Sequence, residues 1–257
     1  MPSSMKVALC TMAKNEEDYL PEWIDYHRKL GFSEVFVYES GGWRYHGDGA
    51  VLEPVSSDTF QHTAFNKFIT DHGKSFDWVL FSDADEYVVL ANGDNDIRDF
   101  LARYGDAKYL YMNWRLFGNG HQPFRGDYGV VSRFRKCNPS LDGLGKTFYN
   151  LRTGTSPMAN AHAVEDYGNE RSLAGFIPCT ELGWIRNPDD ALGLGYLAHY
   201  KPKTPQEWDR RMDTSCGLYF PFSQLKVRKD SYVSVNPPEN HSVVDNRPFN
   251  FYKTGRF

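Results

Sequence analysis

The 257-residue chain contains no apolar run approaching the ~20 residues of a membrane-spanning helix, so no membrane span is expected. Residues 1–6 lack the apolar core of a secretory leader. Cysteine is scarce: Cys10, Cys137, Cys179 and Cys216 stand far apart, with no Cys-x-x-Cys pair. That spacing suits reduced thiols in a cytoplasmic protein better than a zinc site or a disulfide framework. Positive charge is not in excess, since 29 Lys and Arg face 33 Asp and Glu for a net charge of -4. A general nucleic-acid binder is therefore not expected, although a local basic patch stays open. No G-x-G-x-x-G follows the first apolar run and no G-x-x-x-x-G-K-[ST] occurs anywhere. Dinucleotide dehydrogenases and P-loop NTPases are set aside on that ground. There is no internal repeat and no low-complexity segment.

Aromatic residues, by contrast, reach 16%, a surplus that suits sugar-stacking surfaces as well as ordinary cores. The most informative stretch is 78–90, Trp-Val-Leu-Phe-Ser-Asp-Ala-Asp-Glu-Tyr-Val-Val-Leu. Residues 78–81 have the continuous apolar character of a strand buried on both faces. Asp83, Asp85 and Glu86 then crowd together before a second apolar run. Like charges this close repel, and burial raises the cost; a divalent cation offsets both. At an extended strand end, i and i+2 point the same way, so Asp83 and Asp85 present two carboxylates to one oxygen-seeking ion such as Mn²⁺ or Mg²⁺. The plainer alternative is a strand end with acids capping a polar turn.

Around that stretch the pattern is α/β. Residues 6–12 form the first expected strand. A helix to about Leu30 follows, either capped by Asn15 or with Pro21 in its first turn, and Gly31 stops it. Residues 34–38 form the second strand, completing a βαβ unit, so the sheet should begin parallel. A short strand at 51–55, a helix at 61–71 and the strand at 78–82 continue it. Three polar groups, at 14–16, 39–40 and 83–86, fall at carboxyl ends of strands, where open α/β sheets bind ligands. They are expected to share one crevice. Beyond it, the spacing predicts a helix at 97–104 and strands at 109–116, 130–136 and 147–152, the last ones in a smaller mixed sheet. A strand at 196–199 ends in His199, and a helix opens at Thr204-Pro205 with Glu207 completing a capping box. The Pro- and Asn-rich tail, 236–257, is expected to wrap the surface or move.

The order of these motifs resembles the family 2 and family 92 type of GT-A glycosyltransferases. The resemblance rests on Lys14-Asn15-Glu16, on Tyr19-Leu20-x-Glu22-Trp23-Ile24-x-Tyr26-His27, Gly31 and Tyr38, and on Gln61, Asn66 and Asp83-Ala84-Asp85-Glu86-Tyr87. It continues through Asn113-Trp114-x-x-Phe117-Gly118-x-Gly120-His121 to His199-Tyr200 and Lys203. It implies one GT-A domain: a Rossmann-like, mainly parallel sheet flanked by helices, with residues 1–90 binding donor and 91–235 binding acceptor. It further implies a nucleoside-diphosphate sugar donor, foremost a UDP-sugar, a glycan or other hydroxyl acceptor, Mn²⁺ or Mg²⁺, and inversion at the anomeric carbon. By position, Asp83, Asp85 and His199 would hold the metal, His199 having a strand-capping role as its alternative. Met12, Ala13, Lys14, Asn15, Glu16, Glu39, Gln61, Asn66, Asp83 and Ala84 would line the nucleotide site. Lys203, with Lys201, would hold the diphosphate or else be an ordinary surface lysine.

Inverting transfer also needs a carboxylate that takes the acceptor proton. The family's Glu-Asp pair has one counterpart in the right half of the chain, Glu165-Asp166, in a context that departs from the pattern. Asp166 is ranked first and Glu86 second. Trp114 would face an acceptor sugar or lie in the core, and His162 is a reserve metal ligand. Two rival readings are a HAD-type phosphatase, which also carries Asp-x-Asp after an apolar strand, and a silent sugar- or nucleotide-binding domain. The phosphatase pattern wants Thr or Val where Tyr87 stands, and wants the motif near the start of the chain.

Overall fold

Alternate residues of the first strand, β1 (Val7–Ala13), enter two different cores. Val7 and Leu9 join the larger cluster, and Ala8 and Cys10 the smaller one on the opposite face. The same alternation runs through β2 (Glu34–Ser40), where Val35 and Val37 oppose Phe36 and Tyr38. A strand buried on both faces needs an unbroken apolar run, which is why these segments are legible in the sequence. The structure, a computed structural model, describes residues 5–126, 129–154, 156–158, 162, 170–175, 188–215 and 232–257.

The helix α1 (Leu20–Lys29) connects β1 to β2, and the two strands pair in parallel with Cys10 opposite Phe36. Pro21 sits in the first turn of α1, whereas Asn15, at φ 58, turns the chain out of β1 and caps nothing. Gly31 ends the helix region at φ 100, and a Cβ there would lie 2.6 Å from Asp96 Oδ1. β3 (Val51–Val55) adds a parallel edge to β2, where Pro54 is tolerated. The helix α2 (Gln61–His72) covers the smaller core with Ala64, Phe65 and Phe68. β4 (Trp78–Phe81) returns beside β1, again in parallel.

Past the acids the chain continues as β5 (Glu86–Leu90), α3 (Ile97–Ala102) and β6 (Tyr109–Leu116). It then runs through α4 (Val130–Arg133), β7 (Lys136–Cys137), β8 (Gly145–Asn150), β9 (Glu170–Ser172), β10 (Gly195–His199), α5 (Pro205–Ser215) and β11 (Val243–Val244). Among the described residues one large sheet has the order β3-β2-β1-β4-β8-β6-β10-β5, with β9 beside β6. β8 is antiparallel to both β4 and β6, so the second half of the chain extends the parallel first half as a mixed sheet. The separate small sheet is the pair β7 and β11.

One local expectation is corrected, and an open alternative is decided. Residues 130–133, which read as the start of a strand from Val130 and Val131, form α4. Its amide end meets the Glu22 carboxylate, which accepts from Val131 N–H at 3.0 Å, and a negative charge at that end favours helix. Of the two expectations for the tail, wrapping the surface or moving, it is the first that holds among the described residues. It forms a helix at Arg247–Thr254, and Phe251 is fully buried with its ring 5.0 Å from that of Tyr26. Asp245 anchors it further, accepting from Arg115 Nη1 at 2.6 Å and Tyr196 Oη at 2.5 Å.

Candidate active site

Ser82, directly after β4, is fully buried, and the chain turns there through Asp83, Ala84 and Asp85 into β5. The backbone carbonyl of Asp85 accepts from Tyr200 N–H at 2.9 Å. This contact, with the antiparallel pairing of Glu86 and His199, sets the end of β10 against the acids. His199 Nε2 consequently lies 3.6 Å from Asp85 Oδ1. The strand-end position of His199 and the strand-end position of Asp85 are thus one place in the fold.

The two acids face differently. The Asp85 side chain is 4% exposed and that of Asp83 31%. Asp85 Oδ2 accepts from Arg211 Nη1 at 2.8 Å, and Lys203 Nζ lies 3.8 Å away. Burial alone would raise the Asp85 carboxyl. The charges of Arg211, Lys203 and His199 outweigh it and hold the group well below the usual carboxylate range. Asp83 accepts from Gln61 Nε2 and lies 3.1 Å from Lys146 Nζ. There too burial raises the carboxyl and the Asp85 charge adds to it, but Lys146 and the Gln61 hydrogen bond together hold it low.

Glu86 is wholly buried. Its Oε2 accepts from Ser82 Oγ at 2.7 Å and from Asp83 N–H at 3.0 Å, with Lys146 Nζ 3.8 Å from Oε1. Burial pushes Glu86 up to about 8, against partial opposition from Lys146. Burial likewise depresses His199 to about 3, although Asp85 pulls the other way, so the imidazole is neutral at ordinary pH.

The remaining expected residues divide. Lys14, Asn15 and Glu16 line a crevice with Tyr19, Lys201, Lys203, Arg210 and Arg211. Glu16 is raised by burial, against the lowering charges of Lys203 and Arg211. Lys203 is 5% exposed, with its ammonium 4.2 Å from the centre of the Tyr19 ring, so it is no ordinary surface lysine. Met12 and Ala13 end β1, Met12 against the α2-side core and Ala13 in the larger one, and Ala84 is buried between the acids. Glu39 is engaged elsewhere, accepting from Tyr45 N–H at 2.6 Å with Arg44 nearby. Asn66 accepts from Met158 N–H at 2.9 Å. Asp166 lies outside the described residues. His162 meets the carbonyl of Gly145 through Nδ1 at 3.2 Å, and its ring stands edge-on to Trp114.

Three cations were missed by reading the sequence: Arg210 and Arg211 on the crevice, and Lys146 beside Asp83. Arg211 had a signal: it follows Glu207 by four residues on a helix whose Glu207 face is buried, so it shares that face. Glu207 completes the expected capping box, accepting from Thr204 N–H at 3.0 Å and holding Arg133 through two bonds of 2.9 and 2.7 Å. Lys146 had none, because its partners depend on β8 inserting between β4 and β6. A Cβ at Gly145 would lie 2.0 Å from Met112 O, so glycine there lets β8 press onto β6 and seat Lys146.

Among the described residues no three or more His, Cys, Asp and Glu side chains group tightly enough to hold a metal ion unaided. Asp85 Oδ1 is nonetheless buried without a hydrogen-bond partner, as are His199 Nδ1 and Glu16 Oε2. An unpartnered carboxylate oxygen facing a neutral imidazole has the chemistry of a partial donor set for Mn²⁺.

No protein-family model matches the chain. It is similar to a glycosyltransferase family 92 protein of Oryza sativa subsp. japonica, 27% identical over 260 residues, covering 83% of this chain and 42% of that protein. A second family 92 protein, of Ricinus communis, is 25% identical over 124 residues, 40% of this chain and 21% of its own length. The chain thus spans less than half the length of these curated relatives. Among solved structures, glucosyl-3-phosphoglycerate synthase of Mycobacterium tuberculosis, crystallised with Mn²⁺, UDP-glucose and phosphoglyceric acid, aligns with 92% of this chain and 80% of its own. Its identity is 15% and its TM-score 0.39.

Proposed function

We propose that the chain is a single GT-A glycosyltransferase domain that moves a sugar from a nucleoside-diphosphate sugar, foremost a UDP-sugar, to a hydroxyl of a glycan or other acceptor. Residues 1–90 would bind the donor, 91–235 the acceptor, and 236–257 would brace the two. The observation that carries this reading is the Asp85–His199 contact of 3.6 Å beside a crevice rimmed by Lys14, Lys201, Lys203, Arg210 and Arg211. A basic crevice with buried acids at strand ends suits a diphosphate held partly by protein cations and partly through a metal. Similarity to family 92 proteins supports the same reaction class.

In this reading residues 12–16, Gln61, Asp83 and Ala84 cradle the nucleotide. Glu39 and Asn66 carry less of it, because their carboxylate and amide already have partners. Lys203 and Arg211 bind the diphosphate and offset the charge that grows on it as it leaves. Bound Mn²⁺ or Mg²⁺, held by Asp83, Asp85 and His199, would neutralise that same leaving group. The acceptor oxygen attacks the anomeric carbon opposite the diphosphate, the carbon–oxygen bond to the diphosphate breaks, and configuration inverts. The acceptor proton passes to a carboxylate, for which Asp166 is proposed ahead of Glu86, whose buried Oε2 already accepts two hydrogen bonds. Among the described residues no helix is long and apolar enough to cross a membrane.

The test is a screen for slow hydrolysis of UDP-, GDP- and dTDP-sugars with Mn²⁺ or with chelator. The reading expects one nucleotide class to be hydrolysed in the metal arm. Release of phosphate from simple monoesters, with no sugar nucleotide touched, would instead establish a phosphatase.

A further inference from the structure

The basic crevice is filled by its own side chains. Lys14, Tyr19, Lys203, Arg210 and Arg211 are among those that leave about 30 Å³ free between them, room for about two water molecules. Clefts that take drug-sized ligands measure ~300–1,000 Å³. A nucleoside diphosphate therefore enters only if some of these side chains move.

Three of the crevice cations are also engaged by protein acids. Arg211 Nη1 donates to Asp85 Oδ2 at 2.8 Å, and Lys203 Nζ lies 3.8 Å from the same oxygen. Arg210 donates to Asp18 Oδ2 at 2.8 Å and to Glu17 Oε1 at 3.1 Å. A cation held in this way must leave its carboxylate before it can hold a phosphate.

The pairs differ in how freely they can part. The start of α5 is fixed, because Glu207 caps it and is gripped by Arg133 and by Tyr19 Oη at 2.9 Å. Lys203 is buried over the Tyr19 ring. The Arg211 side chain, one turn further along α5, is 36% exposed, whereas the Asp85 side chain beneath it is 4% exposed. Arg211 is thus the more exposed of the two cations on Asp85, and an exposed side chain changes rotamer without moving its helix. Asp85 Oδ1, beside His199, is closed to solvent. The mobile guanidinium lies at the mouth, and the carboxylate lies under it.

We propose that Arg211 is a latch on Asp85. In the ligand-free chain its guanidinium occupies the carboxylate and keeps divalent cations away from it. A nucleoside diphosphate draws the guanidinium onto its phosphate oxygens, and Asp85 is then released to a metal ion. Metal and diphosphate each take one partner of the same ion pair, so each strengthens the binding of the other. The latch rests on the glycosyltransferase reading and adds to it a form of regulation: the site holds metal together with nucleotide and resists metal alone.

The experiment is Mn²⁺ titration of the full chain without nucleotide, read by the EPR signal of free Mn²⁺, on the native chain, Arg211→Met and Arg211→Gln. Both variants should bind Mn²⁺ at least about tenfold more tightly than the native chain, the scale of one charge-assisted hydrogen bond. Arg210→Met removes the same charge from the crevice but leaves the bond to Asp85 in place, so it should raise Mn²⁺ affinity by a smaller factor. Repeated with UDP, the titration should show Mn²⁺ affinity rising in the native chain and rising less in Arg211→Met. The latch is overturned if neither Arg211 variant binds Mn²⁺ more tightly than the native chain. It is overturned equally if Arg210→Met raises the affinity as much as Arg211→Met, since the general field of the crevice would then be the cause. Failure of UDP to bind the native chain overturns the glycosyltransferase reading, and the nucleotide-free comparison is read separately.

Discussion

Arg211 Nη1 donates to Asp85 Oδ2 at 2.8 Å, joining α5 to the acid turn across 126 residues of sequence. The contact occupies one oxygen of the buried carboxylate, and the other oxygen is left facing His199. Arg211 thereby fixes which face of Asp85 is available to a ligand.

Arg211→Met should therefore damage binding more than folding. Lys203 still faces Asp85, so the carboxylate keeps one fixed cation. Affinity for a nucleoside diphosphate should fall by ~10-fold or more, the scale of a charge-assisted hydrogen bond of about 1.5–3 kcal/mol. Calorimetry with UDP checks this. Undiminished affinity would place Arg211 outside the diphosphate site.

Lys146 is a structural counter-charge, 1% exposed and shared by Asp83 and Glu86. Lys146→Met leaves the Asp83 carboxylate without it and should cost roughly 3–5 kcal/mol in urea unfolding. Adding Asp83→Asn should recover part of that loss, since the stranded charged acid is then neutral; Glu86, already pushed up to about 8 by burial, needs no such rescue. A double variant no more stable than Lys146→Met would show that Lys146 does not balance Asp83.

His27 makes stability sensitive to acid. Its Nδ1 meets the Trp23 carbonyl at 2.8 Å and its Nε2 accepts from Val88 N–H at 3.3 Å, so the buried ring is held neutral. Burial depresses it from 6.5 to about 3. Between those values the unfolded chain binds a proton that the folded chain refuses, so this contribution is complete above pH 6.5 and is lost as pH falls toward 3. His27→Gln should remove about 1.4 kcal/mol per pH unit from the slope of stability in that window. Urea melts between pH 4 and 7 measure it, and an unchanged slope would contradict the neutral ring.

How far the sequence foretold these contacts depends on their range. The β1–α1–β2 unit was legible because its apolar alternation is local, and so was the Thr204–Glu207 capping box, which closes within four residues. The position of His199 followed from its place at a strand end. Lys146 was invisible because β8 pairs with β4 across some seventy residues, Trp78 opposite Asn150, and nothing near it in sequence announces that insertion. Val130 and Val131 read as strand because their β-branched side chains favour it. The Glu22 carboxylate that favours helix there comes from α1. Composition left the tail either wrapping the surface or moving, because its hold on the core depends on single residues, Asp245 and Phe251, that composition does not distinguish.

The most direct test of the central claim is calorimetry of UDP binding with Mn²⁺ and with chelator, on the native chain and on Asp85→Ala. Asp85 Oδ1 and His199 are proposed to share a metal that also touches the diphosphate. UDP should then bind at least ~10-fold more tightly with Mn²⁺, a coupling of about 1.4 kcal/mol or more, and Asp85→Ala should abolish that difference. Equal UDP affinity in both solutions for the native chain, or an undiminished Mn²⁺ effect in Asp85→Ala, would contradict the account.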